Sequence, residues 1–368
     1  MSIAIFQNYM DNIGGAEIVT LVLARELGAD LYTTNINSEK IAKMGFSDVL
    51  PRIYSIGKLS KMAPFRQQLA FWRFRRLNLS GKYDFFIISG DWAMSAAVNN
   101  QPNLWYAHSP LNELWEFRDF IRKNLLSAWK VSPYDAWVWF NRKLTLKYAK
   151  SVNLWVSNSE NTKNRIKKFY NQEAVVINPP VATNDYLWRE SENYWLSVNR
   201  LVTHKRIDIQ TEAFKLLPNE KLIIVGSYEE GVAQFESYKS YIEKIKPANV
   251  EIIHWVDDEA LKKLYTGCKG FVTTAKDEDF GMTVIEAMAA GKPVIAPREG
   301  GYKESVTSST GILIDDINSD KLLNAICTVS DNLKKDPLMY KESCLARAKE
   351  FDTAVFISKI KTEMKKII

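Results

Sequence analysis

The sequence predicts an α/β protein of two doubly wound domains, each a parallel sheet covered by helices. Three observations carry that reading. Short apolar runs of strand length alternate with helical patterns along most of the chain, the order that gives parallel sheets with helical crossovers. The alternation falls into two series on either side of Asn178-Pro179-Pro180-Val181, where consecutive prolines can continue neither a helix nor a central strand. The chain has 368 residues, more than one ordinary hydrophobic core supports.

In the first series strands are expected at Ser2–Phe6, Phe85–Ser89, Leu104–Ala107, Leu154–Ser157 and Val175–Ile177, with a helix over Ala16–Leu27. In the second they are expected at Tyr194–Val198, Lys221–Val225, Val250–His254, Gly270–Thr273, Pro293–Ala296 and Gly311–Ile314. Helices are expected between these at Ile207–Leu216, Asp258–Gly267, Thr283–Ala290 and Ser319–Val329. The domains are thus read as 1–181 and 182–351, with Ala182–Glu192 as a polar linker. A last helix near Thr353–Ile367, within 352–368, is expected to complete the first domain. Ligands of open parallel sheets bind at the carboxyl ends of the strands, so the chemistry is sought there, in a cleft between two such sheets.

Composition narrows the class. Apolar residues make up 46% and charged residues 25%, ordinary for a globular protein. No apolar run reaches the roughly 18 residues of a membrane span, and Met1-Ser2-Ile3-Ala4-Ile5-Phe6 reads as a strand rather than a secretory signal. Cys268, Cys327 and Cys344 fit no zinc or redox spacing, so a reducing cytoplasm and no metal centre are expected. The net charge is +6, mixed along the chain and without a nucleic-acid-binding motif. One segment stands apart. Lys58, Lys61, Arg66, Arg73, Arg75 and Arg76 occur without an acid, interleaved with Leu59, Met62, Phe65, Leu69, Phe71, Trp72 and Phe74. That pairing suits an anionic membrane surface; a solvated helix face over a core stripe is the other reading.

The densest chemical signal runs from Thr274 to Pro293. An acidic loop containing Glu278 and Asp279 leads through Phe280, Gly281 and Met282 into a helix carrying Glu286, stopped by Gly291 and Pro293. Gly281 permits close backbone approach, and amides opening a helix meet anionic or hydroxyl-rich ligands. A carboxylate accepts two hydrogen bonds at once, which suits vicinal sugar hydroxyls. In Val198–Asp208, Arg200 and Lys205 lie between a strand end and a helix start, where two cations hold a diphosphate and stabilise its departure. Gly14 and Gly15 open the first helix, which permits close approach to phosphate or sugar, without the Gly-x-Gly-x-x-Gly dinucleotide fingerprint. His108, just past a strand in Tyr106-Ala107-His108-Ser109-Pro110, is placed to donate a hydrogen bond to substrate. His204 and His254 receive no role. Glu304, after Gly300-Gly301, is read as a sugar ligand or as a group holding its loop.

These stretches together resemble the retaining glycosyltransferases of group 1 (glycosyltransferase family 4), and most closely their mannosyltransferase-like branch. The likeness covers Gly14 to about Asp315. It is strongest in Asn199-Arg200-Leu201-Val202, Lys205-Arg206-Ile207-Asp208, and the two glutamates Glu278 and Glu286 with seven residues between them. It implies the GT-B fold, two facing Rossmann-like domains with a cleft between them, the first on the acceptor side and the second on the donor side. It implies that Glu286 binds the nucleotide ribose, and that Glu278 and the amides of Phe280, Gly281 and Met282 face the donor sugar. It implies that Arg200 and Lys205 hold the diphosphate near Gly14 and Gly15, and that His108 contacts the donor sugar. The family is metal-independent, so no cofactor is expected beyond the nucleotide sugar as co-substrate. Many members have glycine where this chain has Asp279; the Glu-Asp-Phe-Gly form favours GDP-mannose. The expected activity is therefore retaining transfer of mannose to a glycan or lipid-linked glycan, in the cytoplasm or on the inner membrane face. The alternatives are a UDP-sugar transferase of the same fold and a non-catalytic nucleotide-sugar-binding subunit.

Overall fold

The computed structural model describes the chain except residues 13, 61, 63–64, 111–112, 125, 228–232, 255 and 368, and the side chains of 124, 227 and 233–235. Ile13 of the paired-glycine loop, Lys61 of the basic segment and Ile368 of the last helix thus lie outside the described residues. The chain divides into two units, Met1–Asn178 with Phe356–Ile368, and Pro179–Val355.

The first unit runs β1 (Ile3–Phe6), α1 (Gly15–Leu27), β2 (Asp30–Thr33), α2 (Ser38–Lys43), β3 (Ile53–Ser55), α3 (Phe65–Arg76), β4 (Phe85–Ile88), β5 (Asn103–Ala107), α4 (Arg118–Asn124), α5 (Ala128–Ala149), β6 (Leu154–Ser157), α6 (Glu160–Tyr170) and β7 (Val175–Val176). Its strands form one parallel sheet in the order β3-β2-β1-β4-β5-β6-β7. The central strands are mostly apolar and buried along their whole length, as in Phe85–Ile88 and Asn103–Ala107, the pattern of helix-covered parallel strands. On one face Phe6, Phe86, Ile88 and Trp105 pack against Phe71 and Phe74 of α3, Trp92 of a 3₁₀ turn, and Val138 and Tyr148 of α5.

The second unit runs β8 (Tyr194–Arg200), α7 (Ile207–Lys215), β9 (Lys221–Ser227), α8 (Ala233–Ile245), β10 (Val250–Ile253), α9 (Asp258–Gly267), β11 (Gly270–Val272), α10 (Met282–Ala289), β12 (Val294–Pro297), α11 (Tyr302–Ser305), β13 (Gly311–Ile314), α12 (Ser319–Lys335) and α13 (Lys341–Lys349). Its parallel sheet has the order β10-β9-β8-β11-β12-β13. Capping follows local chemistry: Asp257 accepts from the Ala260 N–H at the start of α9, and Asn318 from the Lys321 N–H at the start of α12.

Two expectations on organisation are corrected. Val181 belongs to the second unit: its N–H donates to the Phe351 carbonyl at 3.0 Å and its carbonyl accepts from Thr353 at 3.2 Å, so the boundary falls at Asn178 and Pro179. The segment Ala182–Glu192 is not a free linker. The Thr183 hydroxyl donates to Asp352, the buried Lys292 ammonium donates to the Arg189 carbonyl at 2.6 Å, and the Glu192 N–H donates to Gly267. The last helix, α14 (Thr353–Met364), starts in the second unit and belongs to the first from Phe356 onward. There Phe356 meets Tyr106 edge-on, ring centroids 5.6 Å apart.

Candidate functional site

In the second unit the strand order reverses direction between β8 and β11, and loops following strands at such a switch point build the ligand site of a doubly wound sheet. β8 ends at Arg200 and the loop after it carries Lys205; the loop after β11 carries Glu278. Five contacts lace them together. The Lys276 N–H donates to the His204 carbonyl at 2.8 Å. The Thr274 hydroxyl lies 2.7 and 2.9 Å from the carbonyls of Lys205 and Arg206. The Arg206 Nε donates back to the Thr274 carbonyl at 2.6 Å. Finally the Lys205 ammonium forms a hydrogen-bonded ion pair with Glu278.

Glu278 is partly buried. Burial pushes its pKa up, but the charge and hydrogen bond of Lys205, with His204 and Arg200 in support, hold it below the usual carboxylate range. It is a carboxylate at neutral pH. Arg200, at the end of β8, is exposed, and among the described residues no hydrogen bond or ion pair holds its guanidinium. Arg206 is committed elsewhere, with a left-handed φ of 50° and an ion pair to Glu299 at 3.0 Å. It shapes the loop rather than offering a free charge.

Glycines and one tyrosine hold the acidic loop. Gly281 has φ 87°, and a Cβ there would lie 2.4 Å from the Tyr302 ring. Tyr302 is itself buried, its hydroxyl 3.0 Å from that of Thr273. Gly300 has φ 52°, and a Cβ there would come within 2.2 Å of the Glu278 carbonyl; the next amide, Gly301, donates to that carbonyl at 2.8 Å. The glycines expected to open backbone toward a ligand thus serve first to seat one loop against another. Phe280 is buried against Phe351. The amides of Phe280, Gly281 and Met282 meet no acceptor among the described residues and stand at the start of α10, where N–H groups favour anions and hydroxyls.

Glu286 lies one turn into α10. Burial raises its pKa to about 7, with the Tyr265 hydroxyl and Lys262 opposing and Asp258 adding to the rise. Tyr265 is fully buried, and its hydroxyl makes no hydrogen bond elsewhere among the described residues. The two glutamates therefore differ: one is ionised by a lysine, the other is poised near neutrality. His204, which the sequence reading set aside, lies in the same electrostatic neighbourhood. Burial lowers its pKa to about 4, with Lys205 and Arg200 adding to the effect.

The first unit holds the remaining candidates. His108 follows β5, and its Nε2 lies 2.8 Å from the Ser89 hydroxyl, just after β4. Ser89 lies 2.6 Å from the Thr20 hydroxyl, which donates to the Ala16 carbonyl at 2.8 Å. The chain has a direction. Thr20 has given its proton to Ala16, so Ser89 donates to Thr20 and must accept from His108. The imidazole therefore carries its proton on Nε2 and presents an unprotonated Nδ1. Burial lowers its pKa to about 3, so it stays neutral at physiological pH. Gly14 caps α1 in an extended conformation, and its N–H donates to Glu17 at 3.0 Å. An anion approaching that amide must displace a carboxylate, which counts against Gly14 as a phosphate contact; Gly15 is the exposed first residue of α1.

Ser89, Thr20, Thr274, Tyr265 and Tyr302 were missed from sequence. Each acts by touching a residue distant in the chain, and only its position after a strand or on a helix face marked it. No group of three or more potential metal ligands occurs among the described residues.

A doubly wound unit with cations, carboxylates and open helix amides at its switch point defines a Rossmann-type ligand-binding domain. The model of the family described as glycosyl transferases group 1 matches residues 181–343, within the C-terminal unit. The uncharacterized glycosyltransferase MJ1178 of Methanocaldococcus jannaschii is 28% identical over 177 residues, 47% of this chain and 48% of that protein. The α-1,3/1,6-mannosyltransferase ALG2 of Candida glabrata is 24% identical over 299 residues, 66% of this chain and 63% of that protein. The matched stretches thus span about half to just under two thirds of these relatives. The fold extends over the whole chain: the crystal structure of Anabaena Alr3699/HepE in complex with UDP and glucose superposes with a TM-score of 0.78 at 18% identity, covering 99% of both chains. The architecture is that of GT-B glycosyltransferases.

Proposed function

We propose that the protein is a glycosyltransferase that moves a hexose from a nucleoside diphosphate sugar to an acceptor hydroxyl with retention of anomeric configuration, with GDP-mannose as donor. The observation that carries this reading is the ionised Lys205–Glu278 pair in the electrostatic neighbourhood of the exposed Arg200, at the switch point of the sheet. A diphosphate entering there exchanges with Glu278 for the Lys205 ammonium and meets Arg200 as a second cation. Glu286 accepts the ribose hydroxyls, and the amides of Phe280, Gly281 and Met282 face the sugar.

In the transfer, the bond from the anomeric carbon to the diphosphate oxygen breaks and that carbon bonds to the acceptor oxygen. The acceptor proton passes to the departing phosphate oxygen. Arg200 and Lys205 stabilise the charge that develops there, and no protein nucleophile is required. His108, neutral and held by Ser89, supplies a fixed hydrogen-bonding group toward substrate. Cationic side chains take the place of a metal ion. The glycan or lipid-linked glycan acceptor remains part of the same proposal.

Mannose as the transferred sugar is supported by Asp279 and by the likeness to ALG2. A second reading, a UDP-sugar donor, is favoured by the likeness to HepE, whose structure holds UDP and glucose. The experiment is nucleoside diphosphate release from GDP-mannose and UDP-glucose, side by side, across an acceptor panel. The expected outcome is GDP release, reduced about 10²-fold in Arg200→Ala and Lys205→Ala. Turnover of UDP-glucose alone moves the reading to the second donor. Turnover unchanged in both variants removes the proposed site.

A further inference from the structure

The helices that cover one face of the N-terminal sheet bury Phe71, Phe74 and Tyr148 but carry further large aromatic residues on their exposed side. In α5 the buried positions are Val138, Asn141, Thr145, Tyr148 and Ala149, two of them polar and bonded to backbone carbonyls of the same helix. Its outward positions include Trp129, Trp139 and Phe140, with 75%, 60% and 46% of their surface exposed. Between and beyond them lie Lys130, Lys143, Lys147 and Lys150, all exposed. Lys143 sits over the Trp139 ring at 3.9 Å and Lys130 over Trp129 at 4.9 Å. A water-facing helix places aromatics inward and amides outward; single exposed apolar residues are ordinary, aligned stripes of them are not.

The stripe does not stand alone. On α3, Phe65, Leu69 and Trp72 are exposed at helical spacing, and Met62, three residues before the helix, is exposed as well. α3 and α5 pack into the same core against the same face of the sheet and touch directly, Phe71 against Tyr148 at 5.3 Å between ring centroids. At α4, Phe117 and Phe120 are exposed as well.

Charge selects the partner. Among the described residues α3 has no acid. The acid of α5, Asp135, is neutralised by Arg118 at 2.8 Å and Arg122 at 3.1 Å. The structure also moves the weight of the basic surface. Arg66 is taken by Asp11 at 2.6 Å, Arg73 by the Ile56 carbonyl and Arg75 by Asn99. The cations left to face outward are chiefly the lysines of α5. Arg118, Arg142 and Lys143 also line a cavity of 440 Å³ at this face, with Asp135 as the single carboxylate.

We propose that the outward faces of α3, α4 and α5 form one docking surface for an anionic phospholipid bilayer, with aromatics entering the interface and the α5 lysines meeting lipid phosphates. Lysines snorkelling around tryptophans are the composition of an interfacial helix. This goes beyond the proposed sugar transfer and does not depend on it.

Cosedimentation tests it, with vesicles of phosphatidylcholine alone and of phosphatidylcholine mixed with phosphatidylglycerol. The protein is expected to bind the mixed vesicles at low salt and to leave them at high salt. Lys143→Glu with Lys147→Glu should weaken binding by at least about tenfold, and Trp139→Ser with Phe140→Ser should weaken it comparably. Lys335→Glu, exposed on α12, should bind as wild type does. The proposal is overturned if wild type ignores the anionic vesicles, if the α5 variants bind undiminished, or if Lys335→Glu is lost equally. It is also overturned if sedimentation shows a dimer that the Trp139 and Phe140 substitutions dissolve, without vesicle binding. No outcome here bears on nucleoside diphosphate release, so the two proposals fail separately.

Discussion

Glu278 and Glu286 share one motif but are tuned in opposite directions. Lys205 holds the first ionised, whereas burial beside Tyr265 raises the second to about 7. For a carboxyl raised in the folded state, the cost of ionisation is absent below the unfolded value of 4.5 and fully present above about 7. Glu286→Gln should therefore be the more stable protein at pH 8, by about 1–3 kcal/mol, with the gap narrowing toward pH 5. Calorimetric melts across pH measure it. The same variant should bind nucleotide more weakly and with a flat pH profile, while wild type tightens as pH rises through about 7, because ribose hydroxyls favour the carboxylate. Ser89 is the other residue to test. Ser89→Ala removes the acceptor that holds His108 on its Nε2 tautomer. It should lower turnover about tenfold while leaving nucleotide affinity intact, a split that steady-state kinetics with nucleotide titration reads directly. Neither Ser89 nor Thr20 was legible in sequence, since a hydroxyl relay joins residues from three separate strand–helix units.

Among elements, the paired loops after β8 and β11 matter most. Their lacing through Thr274, Arg206 and Lys205 is what turns two distant sequence stretches into one site, and Gly300 is the residue that lets the third loop in. Gly300→Ala places a methyl group 2.2 Å from the Glu278 carbonyl at φ 52°. It should cost at least about 2 kcal/mol. Gly45→Ala, also at positive φ (80°) but with open space around it, should cost about 1 kcal/mol; chemical denaturation compares the two. Strands of the core were readable because parallel strands buried on both faces are continuous apolar runs. β2 (Asp30-Leu31-Tyr32-Thr33) and β3 (Ile53-Tyr54-Ser55) mix polar and apolar residues and are not fully buried, so no continuous apolar run marked them. α5, the 22-residue helix, was missed for a different reason. Its apolar residues lie on both faces, so no single helical stripe marks it, and that same property makes it the candidate bilayer contact.

At the scale of the whole molecule, the architecture was legible because two series of strand–helix units were separated by Pro179 and Pro180. What the sequence could not show was that the supposed linker is packed into the second unit: Val181 pairs with Asp352, just before α14, and Trp188 is flanked by the cations of Lys292 and Lys341 at 5.6 and 4.7 Å. The charged residues of the candidate site drew notice in the sequence because they end or follow strands. Their ionisation states were not legible there, since these depend on burial and on partners brought in by the fold. The claim on which the functional account rests is that the C-terminal unit binds a nucleoside diphosphate through Arg200, Lys205 and Glu286. Titration calorimetry of GDP and UDP into wild type, Arg200→Ala and Glu286→Ala tests it most directly. Saturable binding of one nucleotide by wild type, weakened about tenfold or more in each variant, is the predicted result. Failure of both nucleotides to bind wild type, or equal affinity in all three proteins, would contradict it.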